Sequence, residues 1–169
     1  MEPNELGKLI ARICKGIVEK PNAIKVHVNA TESMGCFVIN ADEDDVSRLL
    51  GKGGRNIKAI AGIAGQIGKR QNYSVKINID SEKTESRTGK FSRFENNPNY
   101  KPKNEVELLV DILNACMVWD DVKAIDVDKF TTALIIYCPL KNEFLNETLT
   151  AVFGAIGKNK GHILYVEMK

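Results

Sequence analysis

Residues 46–60 read VSRLLGKGGRNIKAI, in which the turn GKGG at 51–54 separates two stretches with apolar residues at helical spacing. Glycine at both ends of such a turn lets the backbone approach a phosphodiester closely, because no Cβ atom stands in the way. A helix that follows the turn points its first N–H groups at the same place. Lys52 and Arg55 add positive charge on either side. The stretch therefore predicts a contact site for a nucleic-acid backbone.

Other glycine motifs do not fit this turn. A phosphate-binding GxxxxGK[ST] loop needs Ser or Thr after its lysine, but Lys52, Lys69 and Lys158 are followed by glycine, arginine and asparagine. A dinucleotide-binding GxGxxG follows a strand, whereas GKGG follows a predicted helix. A plain connection between two helices, with Gly51 as the residue after the first helix, is the alternative.

The elements around the turn are predicted in the order α-β-β-α-α-β. Apolar spacing predicts helices over 4–19 and 57–70, and alternation predicts strands at 24–28, 36–39 and 75–79. Asp42 is expected as the N-cap of a short helix that ends at Leu50. A hairpin before the turn and a strand after it argue against a DNA-reading helix-turn-helix.

This stretch resembles a known family. Val46 to Ile60 is similar to the V-x-R-x-[IL]-G-K-x-G-x-x-[IL]-K-x-[IL] core of type II KH domains, whose GxxG loop clamps about four nucleotides. From about Asn4 to Ile79 the chain resembles the small bacterial single-KH RNA-binding proteins of the KhpA type. The resemblance implies an α+β fold, with helices packed on one face of a three-stranded sheet. It also implies binding of single-stranded RNA in the cytoplasm, no catalysis, and dimerisation.

The resemblance also implies the site residues. It assigns the clamp to the turn at 51–54, with Leu49, Leu50, Ile57 and Ile60 lining or supporting a groove for bases. With the basic and polar residues that flank the turn, the expected nucleic-acid-binding residues are Arg48, Leu50, Gly51, Lys52, Gly53, Gly54, Arg55, Asn56 and Lys58.

A second, shorter copy of the same pattern follows. Leu9 and Ile13 match Leu109 and Leu113 at an offset of 100, Phe37 and Ile39 match Leu134 and Ile136 at 97, and GQIGK at 65–69 matches GAIGK at 154–158 at 89. The fall from 97 to 89 indicates that the second copy lacks a counterpart of Ser47–Gly54. We therefore expect tandem KH-like domains: residues 1–80 with the GxxG loop, and residues 104–169 as a degenerate copy without it.

Residues 81–103 connect the copies and are interpreted as a basic, flexible linker with two prolines and no aliphatic residue. Phe91, Arg93 and Phe94 combine base-stacking rings with a cation, so they are expected as auxiliary nucleic-acid contacts. The alternative is that the aromatic residues pin the linker onto a neighbouring domain.

Charge is unevenly distributed along the chain. The net charge is +2, but residues 104–169 hold six Lys and Arg against ten Asp and Glu. Residues 51–70 hold five basic residues and no acid, which favours polyanion binding there. A solvated basic helix face that balances the acids at 42–45 is the alternative.

Composition argues against several classes of protein. No apolar run exceeds the six residues 133–138, so no membrane span is expected, and the acidic N-terminus argues against a targeting peptide. Four cysteines without a CxxC pair and two histidines predict free thiols, with no metal and no cofactor. The sequence shows no set of nucleophile, base and acid in a catalytic pattern, so the protein is not expected to be an enzyme.

These observations predict a cytoplasmic, non-catalytic protein that binds single-stranded RNA through its first copy and acts in post-transcriptional regulation. The second copy is expected to serve as a structural cap, a homodimer surface or a docking site for a protein. Two alternatives stay open: binding of single-stranded DNA, and a protein-interaction or scaffold module with a KH-like fold and no nucleic-acid binding.

Overall fold

The structure is a computed structural model that describes residues 1–80 and 97–169. The first half folds in the predicted order α-β-β-α-α-β. Its elements are α1 (Pro3–Ile17), β1 (Lys25–Ala30), β2 (Met34–Asn40), α2 (Glu43–Leu50), α3 (Arg55–Lys69) and β3 (Ser74–Asp80), with short 3-10 helices at Pro21–Ala23 and Lys52–Gly54.

Helix α1 ends two residues before the predicted end at residue 19. Val18 already has extended backbone, with φ −95° and ψ 159°. The N–H groups of Glu19 and Lys20 donate to the Asp45 carboxylate at 3.0 and 2.9 Å. Because Asp45 supplies acceptors for both groups, they need no helical carbonyl partner, and the chain leaves the helix.

The second half repeats this order without the short helix. Its elements are α4 (Lys103–Cys116), β4 (Asp121–Asp128), β5 (Thr131–Tyr137), α5 (Glu143–Asn159) and β6 (Ile163–Met168). Within residues 97–169 no helix separates β5 from α5, so α2 and the GKGG turn have no counterpart there. The fall in the repeat offset predicted this loss.

Both halves contain the same three-stranded sheet. The central strand pairs antiparallel with the strand before it and parallel with the last strand, giving the orders β1-β2-β3 and β4-β5-β6. Strand β5 corresponds to β2 at the predicted offset of 97. The first residues of the parallel pairs also correspond, since Met34 pairs with Ser74 and Thr131 with Ile163. The structure thus confirms the α+β fold with tandem KH-like units.

The turn from the long helix to the last strand recurs at the offset of 89. Asn72 and Gly161 both have positive φ, 53° and 67°. The N–H of Tyr73 donates to Gly68 O, and the N–H of His162 donates to Gly157 O, both at 2.9 Å. A Cβ atom on Gly157 would lie 2.8 Å from His162 O. The repeat therefore preserves the close approach of helix and strand.

The two halves pack through their helices, which lie between the two sheets. Helix α3 packs against α5, and α1 contacts both α4 and α5. Asn159 Nδ2 donates to the carbonyl oxygens of Gly16 and Val18, both at 2.9 Å, and Arg12 pairs with Asp111. A Cβ atom on Gly62 would lie 2.9 Å from Thr148 Cγ2, so the helices approach closely. One apolar cluster spans both halves.

Three general features concern the sequence-based expectations. The four cysteines are free, as predicted. Within the two described ranges, no helix is long and apolar enough to cross a membrane. The same ranges contain no group of three or more His, Cys, Asp or Glu side chains that could hold a metal ion.

Candidate nucleic-acid interface

The GKGG turn joins α2 to α3 through three glycines with positive φ: 69° at Gly51, 63° at Gly53 and 75° at Gly54. This is backbone geometry that residues with a Cβ atom rarely adopt. The N–H of Gly51 donates to Ser47 O at 3.0 Å and ends α2, and the N–H of Gly54 donates to Gly51 O at 3.1 Å and closes the turn. Gly54 is also the N-cap of α3, so no side chain caps the positive end of that helix.

Three cations surround this helix end. Lys52, Arg55 and Lys58 are exposed, and no other described residue forms an ion pair with them. The Lys58 side chain runs back beside the turn, since its Cε lies 3.7 Å from where a Cβ atom on Gly54 would be. The uncapped helix end and the three cations together give this surface the charge and the N–H groups that an anion requires.

The acids at 42–45 do not neutralise these cations. Lys20 Nζ donates to Asp42 Oδ1 at 2.8 Å and to Asp44 Oδ2 at 2.9 Å. Its ammonium group lowers the pKa of Asp42. Asp42 also caps α2, as predicted, by accepting the N–H of Asp44 at 3.1 Å. The alternative of a basic face that balances these acids therefore finds no support in the contacts.

Arg48, expected as a nucleic-acid contact, lies in an ion-pair cluster. Its Nη2 is 2.6 Å from Glu19 Oε1, and its Nε is 3.5 Å from Asp45 Oδ1. The side chains of Arg48 and Asp45 are 13% and 1% exposed. Since Asp45 also accepts the N–H groups of Glu19 and Lys20, the cluster fixes α2 against the end of α1. Arg48 therefore holds the helix that enters the turn.

Asn56, also expected as a contact, braces the turn from within. Its Nδ2 donates to Arg48 O at 2.7 Å, which satisfies one of the free carbonyls at the end of α2. Its side chain lies against Gly51, where a Cβ atom would be 2.7 Å from Asn56 Cγ. The hydrogen bond joins the two helices across the turn, so it fixes their spacing.

The apolar residues flanking the turn divide into two groups. Leu49 and Ile60 are fully buried in the core, so they support the turn from below. Leu50 is exposed and Ile57 is partly buried. Of these four, Leu50 has the most exposed side chain.

A cleft of about 660 Å³ opens beside the turn and is lined by both halves. Six of the nine predicted site residues lie in its wall, namely Arg48, Leu50, Gly51, Lys52, Arg55 and Asn56. Gly53, Gly54 and Lys58 lie outside this lining. Ile17, at the end of α1, and Ser47, in α2, are the other two lining residues from the first half.

The opposite wall of the cleft comes from α5, which sequence reasoning missed. Its residues are Thr150, Ala151, Gly154, Ala155, Lys158 and Asn159. In the sequence, the GAIGK segment at 154–158 marks the repeat but carries no sign of a binding role. The small residues of α3 and α5 signal close helix packing, but a repeat offset gives no indication of how the two copies are oriented.

The auxiliary residues Phe91, Arg93 and Phe94 lie outside the described residues. Tyr100, from the end of the predicted linker, packs on the second half, with its ring centroid 5.2 Å from that of His162. Burial raises the pKa of the Tyr100 phenol. Lys101 Nζ donates to Asp126 at 2.7 Å, so this end of the connection is held against β4.

Comparison with known proteins finds matches to the half of the chain that contains the GKGG turn. The family described as KhpA/KhpB, KH domain, matches residues 7–79. The RNA-binding protein KhpA of Chlamydia pneumoniae is 29% identical over 77 residues, which are 45% of this chain and 97% of the relative. The protein of the same name from Streptococcus pneumoniae serotype 4 is 31% identical over 74 residues, 44% of this chain and 92% of the relative. The KhpA protein of Listeria monocytogenes serovar 1/2a is 25% identical over 72 residues, 43% of this chain and 95% of the relative.

Proposed function

The chain belongs to the KhpA/KhpB family of KH-domain proteins, and from this premise we propose that it binds single-stranded RNA at the GKGG turn. The observation that carries the proposal is the uncapped start of α3, framed by three glycines with positive φ and by exposed cations. Backbone N–H groups, close access and positive charge are the requirements for clamping a phosphodiester. Three relatives are themselves named RNA-binding proteins.

Each residue of the site has a distinct role in this proposal. Lys52, Arg55 and Lys58 bind phosphates, while Gly51, Gly53 and Gly54 let the strand approach the backbone. Leu50 packs against a base. Arg48 and Asn56 act as positioning residues, since Arg48 pairs with Glu19 and Asn56 donates to the carbonyl oxygen of Arg48 across the turn. No step of this function is catalytic.

The two halves have different roles in this proposal. Residues 1–80 carry the RNA-binding turn, residues 81–103 connect, and residues 104–169 support the first half by covering α1 and α3 with α5. If the second half takes part in dimerisation or protein docking, it does so through the surfaces that the first half does not cover. Val118 and Leu140, 68% and 80% exposed, lie there.

The first experiment compares nucleic acids by fluorescence anisotropy. A labelled, randomised single-stranded RNA of about ten nucleotides exceeds the roughly four that a KH clamp holds. We expect binding that weakens with salt. If about four phosphates are neutralised, the slope of log affinity against log salt should be near −3, at about −0.7 per contact.

Two comparisons give this experiment its meaning. Single-stranded DNA of the same length separates RNA from general strand binding, because only RNA offers 2′-hydroxyl contacts. Double-stranded RNA should bind more weakly, since its bases are stacked and paired. A protein that is folded and binds none of the three at low salt would overturn the proposal and leave the scaffold alternative.

A further inference from the structure

One wall of the cleft beside the GKGG turn is formed by the second half, and the matched relatives have no such second half in their chains. The 77 aligned residues already make up 97% of the Chlamydia pneumoniae protein, so that relative has no second half of comparable size. Here, Ala151, Gly154 and Ala155 of α5 face the cleft, together with Lys158. A site described by the first half alone would omit this helix.

We infer that α5 is part of the nucleotide site, an inference that rests on the proposed function. A base next to the clamped phosphodiester enters the cleft between Leu50 and the small residues of α5. Lys158 contacts the adjoining phosphate from the side opposite Lys52 and Arg55. The second half thus lost its own turn but supplies a wall and a cation to the site of the first.

The volume and the lining residues of the cleft suit a base. Its volume of about 660 Å³ falls within the roughly 300–1,000 Å³ of small-molecule pockets. Apolar side chains, Ile17 and Leu50, lie on one side, and the short side chains of Ala151 and Ala155 leave room on the other. A flat aromatic base can pack on such surfaces while its phosphate stays among the cations.

The wall is held firmly in place. Asn159, one residue after Lys158, donates two hydrogen bonds of 2.9 Å to the end of α1. Close packing at Gly16, where a Cβ atom would lie 2.9 Å from Ile156 Cγ1, adds a second fixed contact between α1 and α5. The residues just after α1 are in turn hydrogen-bonded to Asp45 of α2. The distance between the two walls of the cleft is therefore fixed.

The repeat supplies a matched control. Lys69 corresponds to Lys158 at the offset of 89 and is likewise an exposed lysine in the last turn of its helix. Lys69 is absent from the lining of the cleft, and the half that faces it has no GKGG turn among its described residues. Lys158→Glu and Lys69→Glu therefore make the same change of charge on equivalent helices, one inside the proposed site and one outside it.

The test measures binding of the labelled single-stranded RNA to the full chain. Lys158→Glu should weaken binding about tenfold, as expected for the loss of a charge-assisted contact, and make the salt slope less negative by about 0.7. Ala151→Leu, which fills the cleft without changing charge, should also weaken binding. Lys69→Glu should stay within about twofold of the wild type, the range for an exposed charge outside the site. Thermal unfolding checks that each variant is folded.

The outcomes separate this inference from the proposed function. Wild-type affinity in both Lys158→Glu and Ala151→Leu, while the wild type itself binds RNA, would overturn the inference and leave the function intact. An equal loss in Lys69→Glu would also overturn it, because the effect would then be one of net charge. The last measurement uses uridine monophosphate as the ligand. If this free nucleotide binds, and Ala151→Leu abolishes that binding, the cleft is a mononucleotide site and not part of a site for an RNA strand.

Discussion

Replacing Lys52 and Gly53 with aspartate together should reduce RNA binding at least a hundredfold, about 3 kcal/mol, while the protein stays folded. The change places two carboxylates and a new Cβ atom where the phosphodiester must pass. Attraction becomes repulsion at contact distance. A Cβ atom on Gly53 meets nothing within 4 Å, so there is room for the side chain. Its φ of 63° costs about 1 kcal/mol, which aspartate tolerates better than most residues. Anisotropy titration against single-stranded RNA gives the affinity.

The repeat of local geometry also provides a control for this variant. Lys69→Asp with Asn72→Asp makes the same change in net charge, and Asn72 has a φ of 53°, close to that of Gly53. Both control residues are exposed and lie at the far end of α3. The control should bind RNA within a few-fold of the wild type. Equal affinities for RNA in the wild type, the control and the Lys52, Gly53 variant would show that the turn does not bind RNA.

Asp45→Ala should lower the free energy of unfolding by about 3 kcal/mol, the low end for breaking a buried ion pair. Asp45 is 1% exposed and accepts two backbone N–H groups as well as facing Arg48. Alanine leaves those donors and the largely buried guanidinium without this partner. Such a loss is a large fraction of the 5–15 kcal/mol that usually stabilises a domain. Urea unfolding measures it.

Asp44→Ala is the matched control, since Asp44 is one residue away, is 81% exposed and pairs only at the surface with Lys20. Its effect should be within about 0.5 kcal/mol. Adding Arg48→Met to Asp45→Ala should restore part of the stability, because it removes a largely buried guanidinium that has lost one of its two carboxylate partners. A loss in Asp45→Ala no greater than that in Asp44→Ala would show that the cluster does not fix α2.

Local sequence patterns predicted most of the fold because they depend on neighbouring residues. Alternating apolar residues located the strands, and the glycines at 51–54 located the turn. The repeat offsets predicted that the second half lacks α2. The predicted end of α1 was wrong by two residues. The helix ends early because Glu19 and Lys20 donate hydrogen bonds to Asp45, and local patterns do not reveal contacts about 25 positions apart.

The site itself was only partly predictable, since residue type does not reveal which way a side chain is held. Arg48 and Asn56 fit a nucleic-acid pattern by chemistry, but each has a protein partner in the structure. Lys158 had no such signal, because its place in the cleft depends on how α5 packs across α1 and α3. That packing is a long-range property of the two apolar helix faces.

The most direct measurement of the central claim, that RNA binds at the GKGG turn, is an RNA titration of the isotope-labelled protein followed by backbone amide NMR. The largest shifts should fall at residues 51–58, where the N–H groups at the start of α3 meet the phosphodiester, with smaller shifts along α5 near Ala151 and Lys158. Strand β1, on the far edge of its sheet, should change little. Saturation of binding with residues 51–58 unshifted, and with the largest shifts on β1 or β4, would contradict the account.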